Sequence, residues 1–327
     1  MVAGSLEPRA ALQVPARKAA TRQCSKAHSR GPGEGARSLS LPSLSATASK
    51  VGTLLAEARR DLGPVSGAGL EAAVLLAHVL QVDRAWLIAN SEHEVSADDC
   101  HRYRERVTRR RQGEPIAYLT GMREFWSLPL RVTPDVLIPR PETELLVEIA
   151  LEFIPREARW RVADLGTGSG AVALAIAHER PLCEVHATDC SPAALRVARL
   201  NVDRLAPGRV QLHQGSWLDP LTGNFCVVLS NPPYVAEDDP HLSSGDCRYE
   251  PRGALTPGPD GLAAIRRLAR EALPRLEPGG LLAFEHGYDQ GAAARAVLNE
   301  LGYRHIDTRP DLEGRERVTA GRKAGRD

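Results

Sequence analysis

The chain has 327 residues, 43% apolar and 25% charged, with a net charge of +1. These values suit about two folded domains and exclude fibrous and wholly disordered classes. Its longest apolar stretches, such as Leu70 to Leu80 and Gly279 to Phe284, fall short of the ~20 residues that cross a bilayer, so no membrane span or membrane partner is expected. The six cysteines form neither a CxxC pair nor a regular framework. That argues against a zinc site and a secreted disulfide scaffold, so no metal is expected and the thiols read as free in a reducing compartment.

The first fifty residues carry eight Lys/Arg against two Glu, which leaves the rest of the chain mildly acidic. A body of that sign has no general field for a phosphate backbone, and no direct nucleic-acid partner is expected. Residues 1–49 are rich in Ala, Arg, Ser, Pro and Gly without a sustained period, the composition of a disordered extension. Their acid-poor, Arg- and Ser-rich character also resembles a transit segment, the lesser alternative to a non-functional extension, which would move an otherwise cytoplasmic protein to the mitochondrial matrix.

From Val51 the pattern turns helical: Val51, Leu54, Leu55, Ala58 and Leu62 recur at three- and four-residue steps until Gly63-Pro64 stops the run. With Leu70 to Leu80 and Asp98 to Arg111 this predicts a small helical substrate-recognition domain over residues 50–115. The closing run Arg109-Arg110-Arg111 reads first as a solvated helix end, where cations complement the dipole, with a docking patch as the lesser alternative. Ile116 to Leu137 mixes β-branched and aromatic residues with Gly and Pro, predicting a hairpin linker over residues 116–138. Pro139-Arg140-Pro141-Glu142-Thr143-Glu144 then opens a helix, and Arg140 and Glu144 stand between capping and a role in the site.

Strands and helices alternate beyond Trp160: Arg161 to Leu165, Ala171 to His178, Glu184 to Asp189, Pro192 to Arg204, Val210 to Gln214, Phe225 to Ser230, Gly261 to Leu276, Gly279 to His286 and Asp289 to Leu301. This predicts an α/β catalytic domain over residues 139–327, a parallel sheet wrapped by helices. Tyr303 to Thr308 and Arg315 to Arg322 have no helix between them and suit a closing antiparallel pair.

Chemistry concentrates in two turns. Gly166, Gly168 and Gly170 lie where strand becomes helix, so a ligand can approach the helix N-terminus. Asp189 ends the next strand, 23 residues after Gly166, where a carboxylate can accept both hydroxyls of a ribose. NAD and S-adenosylmethionine both present such a diol, and Gly166-x-Gly168-x-x-Ala171 fits a dinucleotide pattern too. Trp217 ends another strand and suits either the flank of an adenine or a core rim.

The second turn, Asn231-Pro232-Pro233-Tyr234, favours methylation of a planar nitrogen over hydride transfer. Such a nitrogen shares its lone pair with an adjacent π system and is a poor nucleophile. If the Asn231 side-chain oxygen and the Pro232 carbonyl each accept one N–H, the recovered lone pair can be aimed at an electrophilic methyl. Tyr234 can pack on the flat group.

These residues resemble the HemK/PrmC family of protein-glutamine methyltransferases, over about residues 51–322. The resemblance rests on Leu137 to Glu144, the run Asp164-Leu165-Gly166-Thr167-Gly168-Ser169-Gly170, Gly215-Ser216-Trp217, the Asn-Pro-Pro-Tyr turn, a stretch from Asp239 to Gly261, and the tail Glu316-Arg317-Val318-Thr319. It implies a class I S-adenosylmethionine-dependent methyltransferase fold, a Rossmann-like sheet whose last strand is antiparallel, with a small N-terminal helical domain. It also implies S-adenosylmethionine as donor and the glutamine amide of a release factor's Gly-Gly-Gln motif as acceptor. Cofactor contacts fall on Gly166, Thr167, Gly168, Ser169, Gly170, Asp189, Trp217 and Asn231. Glutamine contacts fall on Asn231, Pro232, Pro233 and Tyr234, with Asn231, Pro232 and Tyr234 as catalytic residues. Three alternatives stay open: glutamine methylation of a ribosomal protein, amino methylation of adenine in DNA or RNA, and a non-catalytic module that keeps the fold.

Overall fold

The computed structural model describes residues 48–64 and 67–325. The expected extension at residues 1–49 therefore lies, through residue 47, outside the described residues. Ser49, assigned to it, instead pairs within β1 (Ser49–Lys50) against β2 (Glu94–Val95) in an antiparallel bridge.

These short strands join four helices: α1 (Val51–Asp61), α2 (Ala68–Leu80), α3 (Arg84–Ala89) and α4 (Ala97–Arg111). The helical spacing puts Val51, Leu54 and Ala58 on one face, where they pack in a core with Leu75 and Leu76 of α2 and Tyr103 and Val107 of α4. The Tyr103 hydroxyl, carried into that core, donates to the Ala72 carbonyl at 3.1 Å. Periodicity does not foresee α3, which is one short turn begun where Asp83 accepts the Trp86 amide at 2.7 Å.

The expected hairpin begins later than its composition suggests. Ile116–Thr120 is a helix, α5, entered at Pro115 and stopped by Gly121 at φ +70°. Ile116 and Leu119 stand three residues apart and both pack on the helical core, so the operative period here is helical. The hairpin proper is β3 (Met122–Phe125) and β4 (Leu128–Arg131), closed by Trp126 and Ser127, both at positive φ as a tight two-residue turn requires.

After α6 (Glu144–Phe153) the chain builds β5 (Arg161–Leu165), α7 (Ala171–Glu179), β6 (Glu184–Asp189), α8 (Pro192–Leu205), β7 (Val210–Gln214) and β8 (Phe225–Ser230). It continues through α9 (Arg252–Leu255), α10 (Ala263–Arg275), β9 (Leu276–Glu285), α11 (Gly291–Glu300), β10 (Arg304–Pro310) and β11 (Glu316–Arg322). The seven strands lie in the order β10-β11-β9-β8-β5-β6-β7. Strands β5 to β9 are parallel, while β11 runs antiparallel to both β9 and β10, as expected of a pair with no helix between them. Helices cover both faces, so the inner strands are almost wholly buried and alternate residues feed two cores. Val162, Val227, Leu229 and Ala283 pack with α6 and α7; Ala163, Leu165, Val228 and Leu282 pack with α10 and α11.

The chain steps outward from β5 through β6 to β7, then returns to lay β8 on the other flank of β5. The carboxyl ends of β5, β6 and β8 therefore border the crevice where strand order reverses, the place at which open α/β sheets take ligands.

Candidate active site

Gly166, Gly168 and Gly170, just past β5, adopt φ of +72°, +55° and +86°, a region residues with a Cβ seldom enter. The Gly166 and Thr167 amides each donate to the Thr188 carbonyl at 2.9 Å, tying the loop to β6. Gly168 N donates to Asp189 Oδ2 and Ser191 N to Asp189 Oδ1, both at 2.9 Å. An ionised carboxylate has about four lone-pair sites, so Asp189 can hold the loop and still accept hydroxyls from a ligand. Gly170 stands off the crevice: it caps α7, packed on Leu174 and Ala198.

Beneath the loop, buried Asp164 accepts the Thr167 hydroxyl at 2.6 Å and the Ala173 amide at 3.1 Å through Oδ2. Burial lifts its carboxyl to about 6, against the pull of those two donors.

A cavity of about 380 Å³ fills the crevice. Gly166, Thr167, Gly168, Ser169, Asp189, Trp217, Asn231 and Pro233 form part of its wall, whereas Gly170, Pro232 and Tyr234 do not. The charged side chains on that wall are Asp135, Asp164 and Asp189, all acids. These carboxylates favour a cationic ligand on that part of the wall. Trp217 holds φ +47°, and its carbonyl is fixed by the Thr188 hydroxyl at 2.9 Å. Pro251, Gly253 and Ala254, from the stretch that follows the Asn-Pro-Pro-Tyr turn, supply a further side.

The second turn is held from every direction. The Ser230 hydroxyl donates to the Leu165 carbonyl at 2.7 Å and fastens the end of β8 to that of β5. The Tyr234 and Val235 amides both donate to the Leu255 carbonyl, at 3.1 and 2.9 Å, and Gln290 Nε2 donates to the Tyr234 carbonyl at 2.9 Å. The Tyr234 hydroxyl donates to Glu285 Oε1 at 2.9 Å, and the negative charge of Glu285 pushes the phenol well above its usual pKa. Asn231 Nδ2 donates to Thr143 Oγ1 at 3.0 Å, and among the described residues no donor reaches Asn231 Oδ1.

Sequence reasoning missed Thr143 and Glu285. Thr143, just before α6, lines the cavity and donates its hydroxyl to Glu285 Oε2 at 2.6 Å. Glu285 ends β9 fully buried; burial raises its pKa, and the two hydroxyls and the Arg317 charge oppose that rise. An acid closing the apolar run Leu281-Leu282-Ala283-Phe284 was the available signal, since such a carboxylate needs partners. Of the two neighbours singled out instead, Arg140 pairs with buried Glu250, and Glu144 accepts the Trp126 amide at 2.7 Å.

Comparison with known proteins agrees with both halves of the chain. Residues 53–121 match the family model described as the PrmC N-terminal domain, and residues 142–245 match the methyltransferase small domain. The chain is 49% identical over 257 residues to the release factor glutamine methyltransferase of Vibrio cholerae, covering 77% of this chain and 88% of that protein. It is 50% identical over 254 residues to the Bordetella pertussis protein of the same name, covering 77% and 94%. The Escherichia coli protein of that name is 46% identical over 253 residues, with coverage of 77% and 91%.

Proposed function

The chain belongs to the release factor glutamine methyltransferase family, and we propose that it moves the methyl group of S-adenosylmethionine onto the side-chain amide nitrogen of the glutamine in a release factor's Gly-Gly-Gln motif. The observation that carries this reading is a cavity that bears Asp135, Asp164 and Asp189 on its wall and is bordered by an asparagine whose amide oxygen no donor among the described residues reaches. The fit to the cofactor rests on that same wall: Asp189 offers spare lone pairs to a ribose, and Gly168 leaves open space where a Cβ would project. Trp217 lines the same cavity, its ring beside Gly166. S-adenosylmethionine supplies a sulfonium-borne methyl whose departure leaves a neutral thioether.

The protein's task is then positioning rather than base catalysis. Asn231 Oδ1 and the Pro232 carbonyl accept the two N–H bonds of the substrate amide, which turns its nitrogen away from conjugation and toward the methyl. Tyr234 stays protonated and anchored on Glu285, so its ring keeps one orientation beside the flat amide. The surplus proton leaves the nitrogen after transfer. Residues 50–115 serve as the domain that recognises the protein substrate. Among the described residues no helix is long and apolar enough to cross a membrane.

The test is methyl transfer from labelled S-adenosylmethionine to a purified release factor, beside the same factor with its Gly-Gly-Gln glutamine replaced and beside adenine-containing DNA and RNA. Label that depends on that glutamine is the expected result. Label on nucleic acid alone, or none on the intact factor, would overturn the reading.

A further inference from the structure

Four side chains from three separate segments meet in one hydrogen-bonded line: Asn231 to Thr143 at 3.0 Å, Thr143 to Glu285 at 2.6 Å, and Tyr234 to Glu285 at 2.9 Å. Glu285 is 1% exposed and Thr143, at the cavity wall, 4%, so the carboxylate depends on protein donors. From this geometry we infer that Thr143 and Glu285 are positioning residues that fix which end of the Asn231 amide faces the acceptor. The inference deepens the reading given above and rests on it.

A carboxylate has acceptors only, and a hydroxyl has a single proton. The Thr143 hydroxyl donates to Glu285 Oε2 at 2.6 Å as the Tyr234 hydroxyl donates to Oε1 at 2.9 Å, the pattern of a carboxylate held between two donors. Having given its proton to Glu285, Thr143 offers Asn231 only a lone pair. The asparagine must therefore answer with Nδ2, and its Oδ1 is turned the other way. A flipped amide would set oxygen against oxygen at Thr143 and offer the acceptor two donors where it needs an acceptor. Tyr234 spends its own proton on the other oxygen of the same carboxylate, so one buried group orients both the amide and the ring.

Thr143→Val removes the hydroxyl at nearly constant shape, and Thr143→Ser keeps it. We expect T143V to lower kcat for release-factor methylation by more than about tenfold, the lower range for losing a preorganised contact. Its KM for the release factor and its cofactor affinity should stay within about threefold, and T143S should recover most of the rate. If T143V does not fold, as a melting curve would reveal, Glu285→Gln carries the test, because its amide brings two protons where the carboxylate has none; it too should lower kcat at constant cofactor affinity. Full kcat in the folded valine variant, equal losses in T143V and T143S, or full kcat in E285Q where T143V fails to fold would overturn the relay alone. An inactive parent chain beside an intact release factor would overturn the functional reading and the relay together.

Discussion

In the proposed reaction Asn231 separates binding from chemistry. Its Nδ2 is committed to Thr143 and no donor among the described residues reaches its Oδ1, while Asp189 and the glycine loop are held independently from β6. Asn231→Ala should therefore lower turnover by about two or more orders of magnitude and leave cofactor affinity within a few-fold, as read by single-turnover transfer beside a binding titration. Equal losses in both would show that the division of labour is wrong. Asp164 gives a prediction in pH. Its carboxyl sits at about 6 against an ordinary 3.8, so between those values the native state keeps a proton that the unfolded chain has lost. Stability from this group is fully present below pH 4 and declines as pH rises through about 6, by on the order of 2–3 kcal/mol. Asp164→Asn should flatten that part of the stability curve relative to the parent, measured by denaturant unfolding between pH 4 and 7. An unchanged difference between the two curves across that window would refute the shift.

At the scale of elements, the glycine loop separates conformational need from ligand need. Gly168 and Gly170 both have left-handed φ, yet a Cβ on Gly168 would meet no atom within 4 Å, whereas one on Gly170 would touch Leu174 at 3.5 Å and Ala198 at 3.6 Å. Alanine at either should cost roughly 1–2 kcal/mol of stability through backbone strain. Only Gly168→Ala should also weaken cofactor binding by more than about tenfold, because its methyl enters the cavity; matched titrations of the two variants check this. The same contrast marks what the sequence makes legible. Strand β8 was readable as a near-continuous apolar run, and β5 and β6 by their alternation with helical segments and by the Gly and Asp in the turns that follow them. Helix α5 was not, because five residues show too little of any period and the decisive features are Pro115 before it and Gly121 after it. Thr143 and Glu285 were hidden for a different reason. Their partners lie 88 and 51 residues away in Asn231 and Tyr234, so only the closed fold brings them together.

Across the whole molecule, the helical domain contacts the stretch behind the Asn-Pro-Pro-Tyr turn through the end of α4. Arg109 there binds Glu114, and Arg110 binds Glu71 at 2.7 Å and faces Asp246 at 3.8 Å. The Gln112 carbonyl accepts the Tyr249 hydroxyl at 2.9 Å and a guanidinium N–H of Arg248. The arginine run is thus occupied partly in holding the stretch that runs from Asp246 to Leu255, whose far end pins the Asn-Pro-Pro-Tyr turn through the Leu255 carbonyl. Within the same stretch, Glu250 receives Arg140 and the Ile138 amide, so the linker is fastened at the same place. The glycine loop and Asp189 take no part in this linkage. Loosening it by Arg110→Ala with Tyr249→Phe should therefore raise the KM for the release factor about three- to tenfold, the scale of one or two partly buried polar contacts. Cofactor affinity should move by less than about twofold. Steady-state kinetics against both ligands decide it: a release-factor KM that does not change would mean that the helical domain acts only by docking its own surface, and that the grip on the turn has no part in presenting the glutamine.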